Sequence, residues 1–325
     1  MSPFRLIDAR SAAHAVALLA EHGPAARPIA AGGDLLDLLK EGVDGALRPA
    51  PTVLINLGTA GMAGVSRSGT ALRLGAMTTL ADLAANTDVQ GAAPMLVDAI
   101  GRIASPQLRN VTTLAGNLLQ RPRCLYFRHP SIDCFKKGGR GCPAAAGDLS
   151  QAVFATRPCS AVHPSDLAPV LVALDAAMEI TGPSAQRTIL VDDVYAGAER
   201  NARAETIIVA DEIVSNVQFT TGAFSGQAFE KFTVRGANDF ATASVAVSVA
   251  VTAGIIRDCR LVLGGAALRP VRCIDAETLV IGHRLRQIVP TDVADAAVAG
   301  AQAPAARIDV LRVLIARTLA RAISA

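Results

Sequence analysis

Apolar residues recur along this chain in short blocks whose period changes, and each change predicts an element boundary. From Ser11, apolar Ala12, Val16 and Leu19 fall on one helical face; Ser11 offers a capping hydroxyl and Gly23 ends the run. A short strand, RPIAA, then runs into GGDLLDLLK, a glycine turn that opens a helix. TVLINL (52–57) and ALRLGA (71–76) read as strands, and TTLADLAAN as a capped helix beginning after Thr78. A second glycine turn lies in TLAGN (113–117). TIIVADEIVSNVQF (206–219) predicts two strands, followed by a glycine-rich break, TTGAFSG, that fits a hinge or domain boundary. Beyond it, QAFEKFTVR alternates like a strand. NDFATASVAVSVAV predicts a helix capped by Asn238, and CRLVLGGAA a strand and turn. Helical stretches at 291–303 and 306–323 complete an α+β region, and the chain shows no internal repeat.

Composition narrows the classes. With 325 residues, 51% hydrophobic and 18% charged, the chain can build a large core and two or three domains. Its longest apolar runs, such as SVAVSVAVTAGII from Ser244, fall short of the roughly 20 residues a membrane span requires. Asp8 and Glu21 flank an amphipathic repeat at the N-terminus, so no signal peptide is expected there. A net charge of +3, two Tyr and no Trp argue against nucleic acid as a partner.

Cysteine usage changes the picture more. Cys124, Cys134, Cys142 and Cys159 lie within 36 residues in the spacing C-x9-C-x7-C-x16-C, while Cys259 and Cys273 stand apart. This is not a CxxC zinc pattern, and a disulfide framework is not expected without secretion. Four thiolates suit zinc or an iron-sulfur cluster. Arg121, Arg123, Arg128, Lys136, Lys137, Arg140 and Arg157 would offset a cluster's negative charge, and Gly138, Gly139 and Gly141 would let the loop wrap it. A surface loop with incidental cysteines is the alternative. The glycine turn at Gly32 and Gly33 is open in the same way, either a phosphate cradle or a plain turn.

The order IAAGGDLL, LRNVTTLAGNLL, HPSDLAPVLVALDA, FEKFTVR and LGGAALRPVRC resembles the FAD-binding middle subunit of the molybdenum hydroxylases, the xanthine dehydrogenase and aldehyde oxidoreductase family, over nearly the whole chain. GNLLQRPRCLYFR with the later cysteines is similar to the subgroup whose middle subunit carries an extra 4Fe-4S cluster. That subgroup includes periplasmic aldehyde oxidoreductases and 4-hydroxybenzoyl-CoA reductases; CPAAAGD and HPSD resemble the former more closely. The resemblance implies an α+β, two-subdomain FAD-binding fold of the p-cresol methylhydroxylase/vanillyl-alcohol oxidase type plus a C-terminal α+β domain. The expected division is 1–60 and 61–222 for the two FAD-binding subdomains, with an iron-sulfur insertion at about 121–160, and 223–325 for the C-terminal domain.

Residue by residue, the resemblance assigns Ala30, Ala31, Gly32, Gly33, Asp34 and Leu35 to the loop whose amides cradle the FAD pyrophosphate. Ala31 stands where the family has its first glycine, and Gly33 where it has threonine. The second loop corresponds to Thr113, Leu114, Ala115, Gly116 and Asn117, with Ala115 for a glycine. Asp166 matches an acidic residue suited to a ligand hydroxyl, or else caps the helix LAPVLVAL. Lys231 matches a flavin-side lysine, or else is an exposed strand residue. Cys124, Cys134, Cys142 and Cys159 would ligate the 4Fe-4S cluster. Gly32 lies far from this cysteine stretch in sequence, so loss of one cysteine is expected to leave much of the FAD bound, with some flavin loss open because TLAGN runs straight into the cysteine loop.

The function so implied is electron relay. A large subunit would carry the molybdenum cofactor and oxidise the aldehyde; a small 2Fe-2S subunit would pass electrons to this FAD, and an external acceptor would take them. The chain would be cytoplasmic, or periplasmic by folded co-export with a partner bearing a twin-arginine signal. A 4-hydroxybenzoyl-CoA reductase-like subunit, a stand-alone flavoprotein and a zinc-stapled interaction protein are the alternatives.

Overall fold

The computed structural model describes residues 1–44, 49–146, 152–154, 158–201, 203–236 and 238–324. Gly147 and Asp148 of the CPAAAGD motif, and Arg157 among the basic residues, lie outside them. The described residues form three sheets. Strands β1 (Arg5–Asp8), β2 (Ala26–Ile29) and β3 (Val53–Asn56) pair in parallel in the order β1-β3-β2. The helix Ala12–His22 covers them with buried Ala15, Val16, Leu18 and Leu19. Its Ser11 hydroxyl accepts the His14 N–H at 3.1 Å, and Gly23 at φ 51° lets the chain reverse.

The second sheet is antiparallel, built from β4 (Val65–Ser68), β5 (Ala71–Gly75), β6 (Ala177–Thr181), β7 (Gln186–Leu190) and β8 (Ile213–Thr220) in the order β4-β5-β8-β6-β7. Short helices at Leu80–Ala85, Pro94–Gly101 and Leu167–Ala173 bury their apolar sides against it, and this cluster is the largest core. The third sheet holds β9 (Gly226–Phe232), β10 (Ala243–Thr252), β11 (Ile255–Gly264) and β12 (Val271–Arg272) in the order β12-β11-β10-β9. Helices Pro290–Ala297 and Ala305–Ser324 close its far face. Among the described residues, no helix is long and apolar enough to cross a membrane.

Three expectations from the pattern need correction. NDFATASVAVSVAV is not a helix: Ala243–Thr252 is the strand β10, antiparallel to both β9 and β11. Valines at 245, 247, 249 and 251 lose rotamer freedom in a helix, and burial of both sheet faces explains why apolar residues occupy both sides of the strand. Of the two strands expected in 206–219, only β8 forms. Ile207 instead donates its N–H to the Val194 carbonyl at 3.0 Å, which holds 206–212 as a loop over the helix Val191–Tyr195. Finally, TLAGN is no open turn but the start of a helix, Leu114–Leu118.

Candidate functional site

The first glycine turn follows β2 and leads into the helix Leu35–Lys40. Gly32 sits at φ 77°, a conformation glycine takes without strain, and a Cβ there would lie 2.7 Å from the Leu36 side chain. Backbone N–H groups from Ala30 to Leu35 donate to no acceptor among the described residues. Unspent amides on a tight turn are what an anionic group needs.

The second turn differs. Thr113 caps the helix Leu114–Leu118, and its hydroxyl accepts the Gly116 N–H at 3.1 Å. Leu114 donates to the Thr78 carbonyl, Ala115 to Ala76 and Asn117 to Thr113, each at 2.9 Å. Its contribution is therefore a close wall of small side chains, with the amides from Leu114 to Asn117 all spent. Asn117 is buried and accepts the Ser165 hydroxyl at 2.7 Å.

Asp166 does not cap the helix Leu167–Ala173; the Ser165 hydroxyl accepts the Ala168 N–H in that role. The Asp166 carboxylate pairs instead with Lys231 at 2.7 Å, and the lysine also donates to the Arg102 carbonyl at 3.1 Å. Both side chains are almost fully buried, so Lys231 is not an exposed strand residue. Burial pushes the Asp166 carboxyl up against the pull of the ammonium. Ala30, Ala31, Gly32, Gly33, Asp34, Leu35, Thr113, Ala115, Gly116, Asn117, Asp166 and Lys231 all line one cleft of about 1760 Å³. A smaller pocket, about 430 Å³, lies beside Glu179, whose carboxylate already accepts from Ser215 and Asn216.

Sequence reasoning missed how the cleft meets the cysteines. The Asp34 carboxylate accepts the Arg121 backbone N–H at 2.8 Å and pairs with Arg123 at 2.8 Å and Arg128 at 2.5 Å. Glu205 receives Arg121 and Lys136, each at 3.1 Å. Burial alone would raise Glu205, but the two cations outweigh it and hold the carboxyl down to about 2. The first turn, widely separated from the cysteines in sequence, is thus bolted to them, in addition to the direct run from TLAGN into the cysteine loop. Only spatial proximity reveals Glu205, since it stands in no motif.

Cys124, Cys134 and Cys159 share a buried apolar pocket with Phe127, Leu38 and Leu268, and Cys142 is half-buried. Burial pushes the Cys134 thiol up; the Lys136 backbone N–H bonds to it, and Cys124 and Cys142 lie near enough for their charges to count. Burial likewise takes Cys159 up to about 11, opposed by the Lys136 ammonium and the Ala161 N–H and helped by Cys142 and Cys134. Among the described residues, no group of three or more His, Cys, Asp or Glu side chains is placed to hold a metal ion. Lys136 is buried beside these thiols, with its charge acting on Cys159. Cys259 lies within β11 and Cys273 just ahead of the helix Ile274–Thr278; burial pushes both up to about 12.

A cleft of this size, with free amides at one turn and a buried Lys–Asp pair in its wall, defines a protein built to hold a dinucleotide-sized cofactor. Residues 2–219 match the family model for the FAD binding domain in molybdopterin dehydrogenase, and residues 227–321 that for the CO dehydrogenase flavoprotein C-terminal domain. The chain belongs to this family of FAD-binding medium subunits of the molybdenum hydroxylases, which are oxidoreductase subunits. It is 34% identical over 261 residues to the aldehyde oxidoreductase FAD-binding subunit PaoB of Escherichia coli, covering 79% of each chain. It is 27% identical over 278 residues to the carbon monoxide dehydrogenase medium chain of Afipia carboxidovorans, covering 85% of this chain and 79% of that one. The carbon monoxide dehydrogenase structure from Hydrogenophaga pseudoflava shares the fold, with TM-score 0.78 and 23% identity over 99% of this chain and 98% of that chain.

Proposed function

We propose that this chain is the electron-relay subunit of a heteromeric molybdenum-containing aldehyde oxidoreductase. It takes electrons from a small 2Fe-2S subunit, fed in turn by a large molybdenum-cofactor subunit, and passes them to an external acceptor. The observation that carries this reading is the gathering of both glycine turns, Asp166 and Lys231 on one cleft. The likeness to the aldehyde oxidoreductase subunit supports the choice of substrate class. Residues 1–60 and 61–222 act as the FAD-binding subdomains, and 223–325 as the C-terminal domain that brings in Lys231.

Bound FAD would supply the exchange between one-electron and two-electron steps. The chain's own residues do the rest. Amides of Ala30–Leu35 hold the diphosphate, the second turn walls the cleft closely, and Asp166 offers a carboxylate whose charge Lys231 balances. The flavin is held without a covalent bond in this reading, which the lining of the cleft, free of His, Cys and Tyr among the described residues, supports. Cys124, Cys134, Cys142 and Cys159 ligate a 4Fe-4S cluster, with Lys136 offsetting part of its charge.

Absorbance of the purified chain tests both cofactors. Flavin bands above a broad brown shoulder are expected, acid should release the yellow colour to the supernatant, and Cys142→Ser should lose iron and the reduced-state EPR signal. A colourless protein would overturn the reading; full iron in Cys142→Ser would overturn the ligand set. Robust aldehyde oxidation by the isolated, molybdenum-free chain would replace relay by stand-alone catalysis.

A further inference from the structure

The carboxylate of Asp34 poses a chemical problem for the loop that carries it. It belongs to the same turn as the free amides of Ala30–Leu35, so a diphosphate bound there would sit close to a negative side chain. Like charges brought together out of water repel strongly. What removes the difficulty is the segment running into the cysteines. Arg121 gives Asp34 its backbone N–H at 2.8 Å, and the guanidiniums of Arg123 and Arg128 pair with it at 2.8 and 2.5 Å. Those guanidiniums are themselves fixed: Arg128 donates to the Pro122 carbonyl at 2.9 Å, and Arg123 to Gln120 at 3.0 Å. The neutralising cations therefore reach Asp34 only while the segment around Cys124 is docked. Docking in turn buries Cys124 and Cys134 beside Phe127 and Leu38, the latter on the helix that Asp34 precedes.

We infer that Asp34 is a positioning residue that couples the two sites: its carboxylate lets FAD bind well only when the cysteine segment is docked. By linkage, FAD then stabilises the docked segment by the same factor. This rests on the proposed flavin and cysteine sites and adds a coupling between them. Asp34→Asn keeps the shape and an oxygen for the Arg121 N–H, and removes the charge that makes docking a condition.

The test uses the full chain freed of metal and flavin, with FAD itself as the probe. Thiol labelling by N-ethylmaleimide is followed cysteine by cysteine with and without saturating FAD, saturation being checked by flavin fluorescence. FAD should slow labelling of Cys124, Cys134 and Cys159 by about tenfold, within the range of ordinary coupling energies. Labelling of Cys259 and Cys273, in the C-terminal sheet region, should not change; slowing of all the cysteines alike would mean general stabilisation and overturn the coupling. Asp34→Asn should still bind FAD yet show protection of less than about twofold. Arg128→Met, which cuts the same link from the other side, should weaken FAD binding in the wild-type background and have little effect beside Asp34→Asn, so a variant that fails to fold does not end the test. Equal protection in wild type and Asp34→Asn overturns the inference. Absence of FAD binding by the wild type would instead overturn the flavin reading beneath it.

Discussion

The two glycine turns face one cleft, yet their backbones are in opposite states. From Ala30 to Leu35 the N–H groups have no protein acceptor among the described residues, whereas those of Leu114, Ala115, Gly116 and Asn117 are all engaged. Glycine in the first turn permits a left-handed residue and leaves donors pointing outward. In the second, Gly116 sits where a Cβ would approach the capping Thr113 oxygen at 2.9 Å, so its smallness serves the helix. Glycine content thus identifies places where the backbone comes close to something, and the hydrogen bonds decide what it can offer there.

The strongest way to break this comparison is to load the first turn. Gly32→Asp adds strain at a positive φ, crowds Leu36 and sets a carboxylate against a diphosphate. Opposed charges of one sign cost several kcal/mol, so FAD affinity should fall on the order of 100-fold or more. Gly32→Ala carries the strain without the charge and should lose about tenfold, near 1.4 kcal/mol. Fluorescence titration reads both; full FAD occupancy in Gly32→Asp would mean that the diphosphate lies elsewhere.

Glu205 braces the residue on which both turns converge, because Arg121 follows the second turn and gives its N–H to the first. Glu205→Gln leaves Arg121 and Lys136 buried without a counter-charge, and breaking such a cluster costs about 3 kcal/mol. The pH dependence has a definite sign. The folded carboxyl lies at about 2, below its ordinary value of 4.5, so its contribution is complete above about pH 4.5 and disappears as the pH falls through 2. Melting curves of wild type and variant should therefore differ most at neutral pH and converge toward pH 2. A constant gap across that window would contradict the ionic role.

How much of this was legible beforehand depends on range. Ser11, Gly23 and the first glycine turn are local signals, and each lies where the pattern placed it, whereas TLAGN opens a helix. The sheet pairing of Ala243–Thr252 is not local: buried Ala and Ser between the alternating valines at 245, 247, 249 and 251 blur the two-residue period, and Asn238 and Asp239 ahead of it imitate a cap. The cysteine spacing left open a cluster or incidental thiols; Cys124, Cys134 and Cys159 fall in one buried apolar group, which places them together without assigning a ligand. Nothing in sequence could join Asp34 to Arg128 or Glu205 to Lys136, because those pairs are made by the fold. Asp166 and Lys231 were singled out separately and turn out to be each other's partners.

A milder change sharpens the contrast from the other side. Thr113→Val removes the hydroxyl that accepts the Gly116 N–H, while keeping the side chain's shape. Loss of a helix cap costs about 1 kcal/mol, seen as a lower melting temperature, and FAD affinity should change by less than about threefold because the amides from Leu114 to Asn117 are already spent within the protein. A drop in affinity as large as that of Gly32→Asp would show that the second turn contacts the diphosphate after all.

The last test adds what the first turn lacks. The family resemblance puts threonine where this chain has Gly33, and a Cβ built at Gly33 meets nothing within 4 Å, with no positive φ to oppose a side chain. Gly33→Thr should therefore fold as the wild type does. A hydroxyl beside free amides and an anion can make one more hydrogen bond, worth about 1 kcal/mol net, which corresponds to FAD binding about fivefold tighter. The chain's departure from the pattern then reads as a weaker grip in the same place. If Gly33→Thr instead weakened FAD by a comparable factor while the protein stayed folded, the ligand would pass too close to residue 33 for any side chain, and the turn would hold the diphosphate in a register shifted toward Gly33 and away from Gly32.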